Sequence, residues 1–348
     1  MYMKKLMLLF LAPYLLLSQQ VTEEIIFHDG LERDYILYVP ETYMSSEPTS
    51  LVLNLHGYSS NAGEQMIYSE FYALADQYGF VLAHPQGTID ENGFAFWNSG
   101  MFGSTSAIDD VGFLNNLIDT LSSQYNIDLD KVYSTGMSNG GFMSYKLACE
   151  LSDKIAAVAS VTGSMSDGQF DSCFPQQSVP VMQIHGTADL VVLYEGNSFL
   201  EILPIEDVVS YWVNFNQCDT DPILTNIQDV NILDLCQAEH YLYNNGLDGT
   251  SVEFYKIING GHTWPGAPIP LVGNNTNQDI DASTKIWEFF NKYDINGLIE
   301  SNTDLVNELT INRKLIRSVD FLGRNCVNNN MCVDIFDDGS FDKKIIIE

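Results

Sequence analysis

The sequence predicts an α/β protein: one mostly parallel sheet with helices on both faces, followed by a small C-terminal β unit. Three observations carry this. Short apolar runs, the signature of strands buried on both faces, alternate with stretches of helical period. Several runs end in turn chemistry, at His56-Gly57, His84-Pro85 and Gly136. The composition shifts after Leu298, and residues 299–348 are too few to extend the sheet.

The elements follow in order. Lys4 and Lys5 precede an apolar run, Leu6 to Leu17, broken only by Pro13 and Tyr14, with Ser18, Gln19 and Gln20 after it. Residues 1–19 therefore read as a secretion signal, too short for an ordinary membrane-spanning helix. A location outside the cell or at its surface is expected, with no stable membrane insertion. Glu24–Phe27 and Arg33–Val39 read as two strands joined at Asp29-Gly30. Leu51–Leu55, Phe80–Ala83, Lys131–Thr135, Ala156–Val161, Val181–Ile184 and Val252–Ile258 read as strands. Gln65–Gln77, Asp109–Tyr125, Phe142–Leu151, Asp207–Phe215 and Ser283–Phe290 read as helices. Asp219–Leu235 has weak periodicity and reads as a loop or lid. Residues 20–298 thus form the main domain. In residues 299–348, Ile299–Asn312 is a polar connector, Lys314–Phe321 and Lys343–Glu348 read as strands, and Asp337-Asp338-Gly339 makes a turn between them.

The 348 residues carry 15 Lys and Arg against 46 Asp and Glu, a formal charge of −31. Nearly all of the imbalance lies in residues 20–298, where 7 basic side chains face 37 acidic ones. Such a surface repels phosphate backbones and anionic head groups, so nucleic acid and membrane-surface partners are excluded. A hydrophobic fraction of 45% supports a packed core. Six cysteines in an exported chain point to disulfides. Sequence order suggests Cys149–Cys173, Cys218–Cys236 and Cys326–Cys332, although other pairings stay open. No C-x-x-C pair is present, so no metal site is expected.

The sharpest local signal is Gly136-Met137-Ser138-Asn139-Gly140, between the strand Lys131–Thr135 and the helix Phe142–Leu151. A serine on such a turn projects its hydroxyl above the sheet edge, and the glycines remove side chains that would clash there. Its hydroxyl needs a base. In the chain order serine, acid, histidine, the base is His262 in Gly260-Gly261-His262-Thr263-Trp264-Pro265-Gly266, after the strand Val252–Ile258. His240 sits in a polar segment and reads as a surface residue. The acid is Asp189 in His185-Gly186-Thr187-Ala188-Asp189, after Val181–Ile184, with His185 shaping the turn. Two N–H donors for a developing oxyanion are expected from the backbone of Asn139 and of Tyr58. Trp97, Trp264 and Tyr194, in loops near these residues, suggest an aromatic acyl pocket.

These segments, with Leu55-His56-Gly57, Phe96-Trp97-Asn98 and Asp110-Val111-Gly112-Phe113-Leu114, resemble the secreted polyhydroxybutyrate depolymerase and feruloyl esterase group of α/β-hydrolases. The resemblance covers roughly Glu24 to Tyr293. It implies an α/β-hydrolase fold, with Ser138 as nucleophile, Asp189 as acid and His262 as base, and it supports the Cys149–Cys173 disulfide. The segment around Cys236 and His240 departs from the group's usual spacing. Lys314-Leu315-Ile316, Asp320-Phe321-Leu322-Gly323-Arg324 and the ending from Asp337 to Glu348 resemble the C-terminal sorting domain of the Bacteroidetes type IX secretion system. That resemblance implies the export machinery as a partner of the tail.

The expected function is a secreted serine carboxylic-ester hydrolase that needs no metal or cofactor. Its expected substrate is an ester-bearing polymer or oligomer such as a polyhydroxyalkanoate. The alternative is a feruloyl or acetylxylan esterase acting on plant polysaccharide. A serine peptidase on the same fold and an inactive polymer-binding protein are the competing classes.

Overall fold

In the computed structural model, residues 20–101, 106–268 and 275–299 are described in full, and three later strands by their backbone alone. The chain divides into two compact units, Met1–Ile299 and Glu300–Glu348. The expected signal at 1–19, Cys326 and most of the connector lie outside the described residues.

The first unit opens with the antiparallel pair β1 (Gln20–His28) and β2 (Leu31–Val39). Asp29 and Gly30 both take positive φ, 48° and 77°. That is the two-residue turn whose twist matches the flanking strands. There follow β3 (Thr49–Leu55), α1 (Ala62–Ser69), α2 (Phe71–Tyr78), β4 (Val81–Pro85), the short pair β5 (Thr88–Ile89) and β6 (Ala95–Phe96), and α3 (Asp110–Gln124). Next come β7 (Ile127–Met137), α4 (Asn139–Glu150), β8 (Ala157–Val161), α5 (Asp167–Asp171), β9 (Val181–Gly186) and α6 (Ile205–Phe215). The unit ends with β10 (Ile223–Asn226), β11 (Gln237–Tyr243), β12 (Val252–Ile258), α7 (Ala282–Phe290) and the small pair β13 (Tyr293–Asp294) and β14 (Gly297–Leu298).

Ten strands form one sheet in the order β1-β2-β4-β3-β7-β8-β9-β12-β11-β10. The six central strands, β4 to β12 in that order, run parallel, and both edges are antiparallel. This is the mostly parallel sheet of the α/β-hydrolase fold. Alternation along the strands splits the core by face. Leu51, Leu53 and Leu55 pack with α3, α4 and α6, whereas Val52 packs with α2 and α7.

Three expectations need correction. The stretch Gln65–Gln77 is two helices, not one. Glu70 turns left-handed at φ 49° between them, and the Ser69 carbonyl accepts the Ser283 hydroxyl of α7 instead of continuing the helix. The loop expected at Asp219–Leu235 contains β10, and β11 follows it. These edge strands, β10 exposed and β11 mostly half-buried, lack the apolar runs of the central ones and are held by ladder pairing, β11 on β12 and β10 on β11. Cys218 and Cys236 do not pair. Cys218 belongs to the core on the α3, α4 and α6 face and Cys236 to the core on the α2 and α7 face, so the sheet separates them. Burial raises their thiols to about 11 and about 12. Cys149 and Cys173 do form a disulfide, tying α4 to the chain after α5.

No helix of the described residues is long and apolar enough to cross a membrane. The second unit contains β15 (Leu315–Val319), β16 (Met331–Phe336) and β17 (Phe341–Ile345) as an antiparallel three-stranded sheet in that order. Its central strand carries no turn or run that the sequence reading recognised.

Candidate active site

Ser138 is the hinge between β7 and α4, at φ 52° and ψ −120°. This is a strained conformation for a residue with a side chain, and it persists only where the surroundings enforce it. The surroundings are visible. A Cβ on Gly136 would stand 2.6 Å from the Leu55 carbonyl oxygen, and one on Gly140 would collide with that same carbonyl. The turn therefore fits against β3 only with glycine at both places. The Ser138 N–H donates to the Val161 carbonyl of β8 at 2.8 Å, which fixes the serine over the sheet.

The loop after β3 lies beside it. A Cβ on Gly57 would stand 3.4 Å from Ser138 Cβ. His56 clamps this loop. The Gly87 N–H donates to His56 Nε2 at 2.9 Å, so Nδ1 carries the proton and donates to the Gly57 carbonyl at 2.7 Å. Burial holds His56 neutral, lowering its pKa to about 4. Asn139 opens α4, so its N–H has no carbonyl four residues back within the helix. Its side chain accepts from the Trp97 N–H and donates to the Trp97 carbonyl and to Ser99 Oγ.

Asp189 follows β9 and His262 follows β12, neighbours in the sheet. The two loops touch: the Thr187 and Ala188 N–H groups donate to the Ile257 and Gly260 carbonyls. The carboxylate is buried. Its Oδ1 accepts the Val191 and Val192 N–H groups at 2.8 and 2.9 Å, and its Oδ2 meets His262 Nδ1 at 2.7 Å. With Nδ1 engaged, Nε2 is the ring nitrogen suited to taking a proton from a hydroxyl. His185 stands 3.4 Å from the same carboxylate oxygen but is otherwise committed. Gln183 Nε2 donates to His185 Nδ1 and His185 Nε2 donates to the Val192 carbonyl. Burial depresses its pKa to about 4, so it stays neutral and shapes the turn.

Ser138 and His262 line one cleft of about 480 Å³ together with Tyr58, Met137 and the inner face of α1. Glu64, Gln65, Ile67 and Tyr68 of that helix form the wall. They escaped the sequence reading because a helix of ordinary amphipathic pattern carries no chemical motif. The available signal was position, since α1 starts directly after the Tyr58 loop.

The three aromatic residues expected to bind substrate do not line this cleft. Trp97 is 1% exposed; its indole donates to the His56 carbonyl and its ring stacks on Phe113, so it braces the loop beside Ser138. Trp264 is 1% exposed and packs edge-on to Phe71. Tyr194 is buried against Phe254 with its hydroxyl on Glu206. Large apolar rings near a site are drawn into the core by their area unless the backbone forces them outward. His240 is likewise more enclosed than a surface residue: it stacks on Tyr255 and pairs with the buried Glu253 at 2.8 Å.

The sheet order, with a serine at the strand–helix hinge, is that of the α/β-hydrolase fold. Within it, residues 33–204 match the family model described as Esterase PHB depolymerase. The chain is similar to the bifunctional acetylxylan esterase/xylanase XynS20E of Neocallimastix patriciarum, with 27% identity over 277 residues, 78% of this chain and 35% of that protein. It is similar to feruloyl esterase B of Piromyces equi, with 28% identity over 66% of this chain and 42% of that protein. The chain thus spans well under half the length of these two. It is also similar to feruloyl esterase D of Neurospora crassa, with 26% identity over 81% of this chain and 88% of that protein. Among solved structures, an acetyl xylan esterase from Aspergillus awamori shares the fold at a TM-score of 0.56, with 17% identity, 78% of this chain and 99% of that one covered.

Proposed function

We propose that this chain is a serine carboxylic-ester hydrolase. One observation carries the reading: Ser138, held at a strained strand–helix hinge, shares a cleft with His262, whose Nδ1 is bound by the buried Asp189. The similarity to esterases supports it. Ser138 Oγ attacks the ester carbonyl while His262 Nε2 takes its proton. The Tyr58 and Asn139 N–H groups receive the oxyanion. The C–O bond then breaks, His262 protonates the departing alcohol, and an acyl-enzyme remains. Water attacks that acyl group by the same route and releases the acid. Asp189 fixes the imidazole tautomer and stabilises the imidazolium.

The substrate is an ester built into or carried on a polymer. A polyhydroxyalkanoate-type polyester is the first reading, in keeping with the description of the matching family model. Removal of feruloyl or acetyl groups from plant polysaccharide is the second, favoured by the names of the similar proteins. The chain is exported through its N-terminal signal, and the second unit serves as a sorting tail. Ser138→Ala retains the fold and loses both hydrolysis of a chromogenic short-chain ester and labelling by a fluorophosphonate. Undiminished hydrolysis by that variant overturns the reading. Polyhydroxybutyrate film, methyl ferulate and acetylated xylan, assayed side by side, separate the two substrates, and casein tests for peptidase activity.

A further inference from the structure

Building on the ester-hydrolase reading, we propose that Tyr68 is a positioning residue: its hydroxyl, by holding the main chain two residues beyond His262, sets where the imidazole stands relative to Ser138. Tyr68 lies on α1 and lines the cleft with both residues. Its oxygen accepts the N–H of Trp264 at 3.2 Å. The Trp264 indole N–H donates to Ser283 Oγ at 3.0 Å, and that hydroxyl donates to the Ser69 carbonyl. Trp264 is therefore tied, at its main-chain and its side-chain nitrogen, to adjacent residues at one end of α1.

That end of α1 is itself fixed to the sheet beside the nucleophile. Gln65 Nε2 donates to Asn54 Oδ1, and Asn54 Nδ2 donates to Ser69 Oγ, both at 2.8 Å. Asn54 lies in β3, in register with Thr135 of β7, the strand that ends at Ser138. A continuous chain of hydrogen bonds, buried except at the Tyr68 hydroxyl beside the cleft, thus runs from the strand under the nucleophile, through α1, to the histidine loop. Asp189 fixes the orientation of the imidazole ring from one side, and Tyr68 fixes the position of its loop from the other. The Tyr68 ring forms the cleft wall independently of its oxygen, so the two contributions are separable.

Displacing a reacting group by about an ångström costs up to about a hundredfold in rate. Tyr68→Phe keeps the wall and cuts the tie. It lowers kcat on a neutral short-chain nitrophenyl ester about tenfold, leaves KM unchanged, and slows fluorophosphonate labelling of Ser138 by the same factor. Ser283→Ala, outside the cleft, cuts the second tie and moves kcat in the same direction with KM unchanged. The double variant loses less than the product of the two, because both act on one loop. All rates are measured well below each variant's unfolding temperature, so a purely structural role leaves kcat intact. Unchanged kcat and labelling in Tyr68→Phe, or a loss confined to KM, overturns the proposal. A wild-type protein that neither labels nor hydrolyses esters overturns the ester-hydrolase reading instead, before any variant is compared.

Discussion

In the proposed mechanism Asp189 serves geometry and chemistry at once. Its two oxygens divide the work: Oδ1 is held by two backbone N–H groups and Oδ2 by His262. An asparagine keeps the first pair of bonds but offers an N–H to Nδ1, which selects the wrong imidazole tautomer. Asp189→Asn is therefore expected to lower kcat by about four orders of magnitude with little change in fold, read by ester hydrolysis alongside circular dichroism. Arg33 makes a different kind of buried pair. Its guanidinium meets Asp110 at 2.6 Å and lies 3.8 Å above the Phe113 ring, while the other Asp110 oxygen accepts the Asn98 N–H. Burial pushes the Asp110 carboxyl up, and Arg33 opposes that shift. Arg33→Met leaves a buried carboxylate without its partner and should destabilise the protein by about 3–5 kcal/mol in denaturant titration. The Asp110 motif was visible in the sequence, but its partner, 77 positions away, was not.

At the scale of elements, the strand–turn–helix around Ser138 was legible because its requirements are local: glycines beside a serine at a switch of periodicity. Gly140→Ala drives a methyl group into the Leu55 carbonyl. It is expected to destabilise the fold by about 1–3 kcal/mol or to prevent soluble expression, checked by thermal melting. The Cys149–Cys173 disulfide spans a separation of 24 residues. Its removal by paired serine substitution should lower stability by about 3–4 kcal/mol in the chain-entropy account, read as a shifted denaturant midpoint. The break between α1 and α2 was not legible, because the residue that ends α1 answers to Ser283, far along the chain. The edge strands β10 and β11 were missed for a related reason: their stability comes from pairing, β11 with β12 and β10 with β11, rather than from their own apolar pattern.

For the whole molecule, charge and burial set the response to pH. His56, His84 and His185 are buried, and burial lowers their pKa values to about 4, 3 and 4 from an ordinary 6.5. Below about pH 6.5 the unfolded chain binds protons that the folded chain refuses, so stability rises with pH in this window and is lost as pH falls towards 4. The melting temperature is expected to fall steadily between pH 7 and pH 5, a range in which ordinary carboxylates remain ionised and the acidic surface hardly changes. A flat profile over that range counts against the neutral buried state of these histidines.

The sequence by itself determined the layered α/β class and the order of its central strands and helices along the chain, and it singled out Ser138, Asp189 and His262 as the candidate site that the fold brings together. Each rests on a pattern of local origin: alternation of period, a glycine-flanked turn, or a polar residue directly after an apolar run. Only the tertiary structure decided the rest. It placed Cys218 and Cys236 on opposite faces of the sheet, drew Trp97, Trp264 and Tyr194 into the core, and gave the cleft wall to α1. The physical reason is the same in each case. Which face a side chain meets, and which distant group completes its hydrogen bonds, depends on how the elements stack, and spacing along the chain does not encode that.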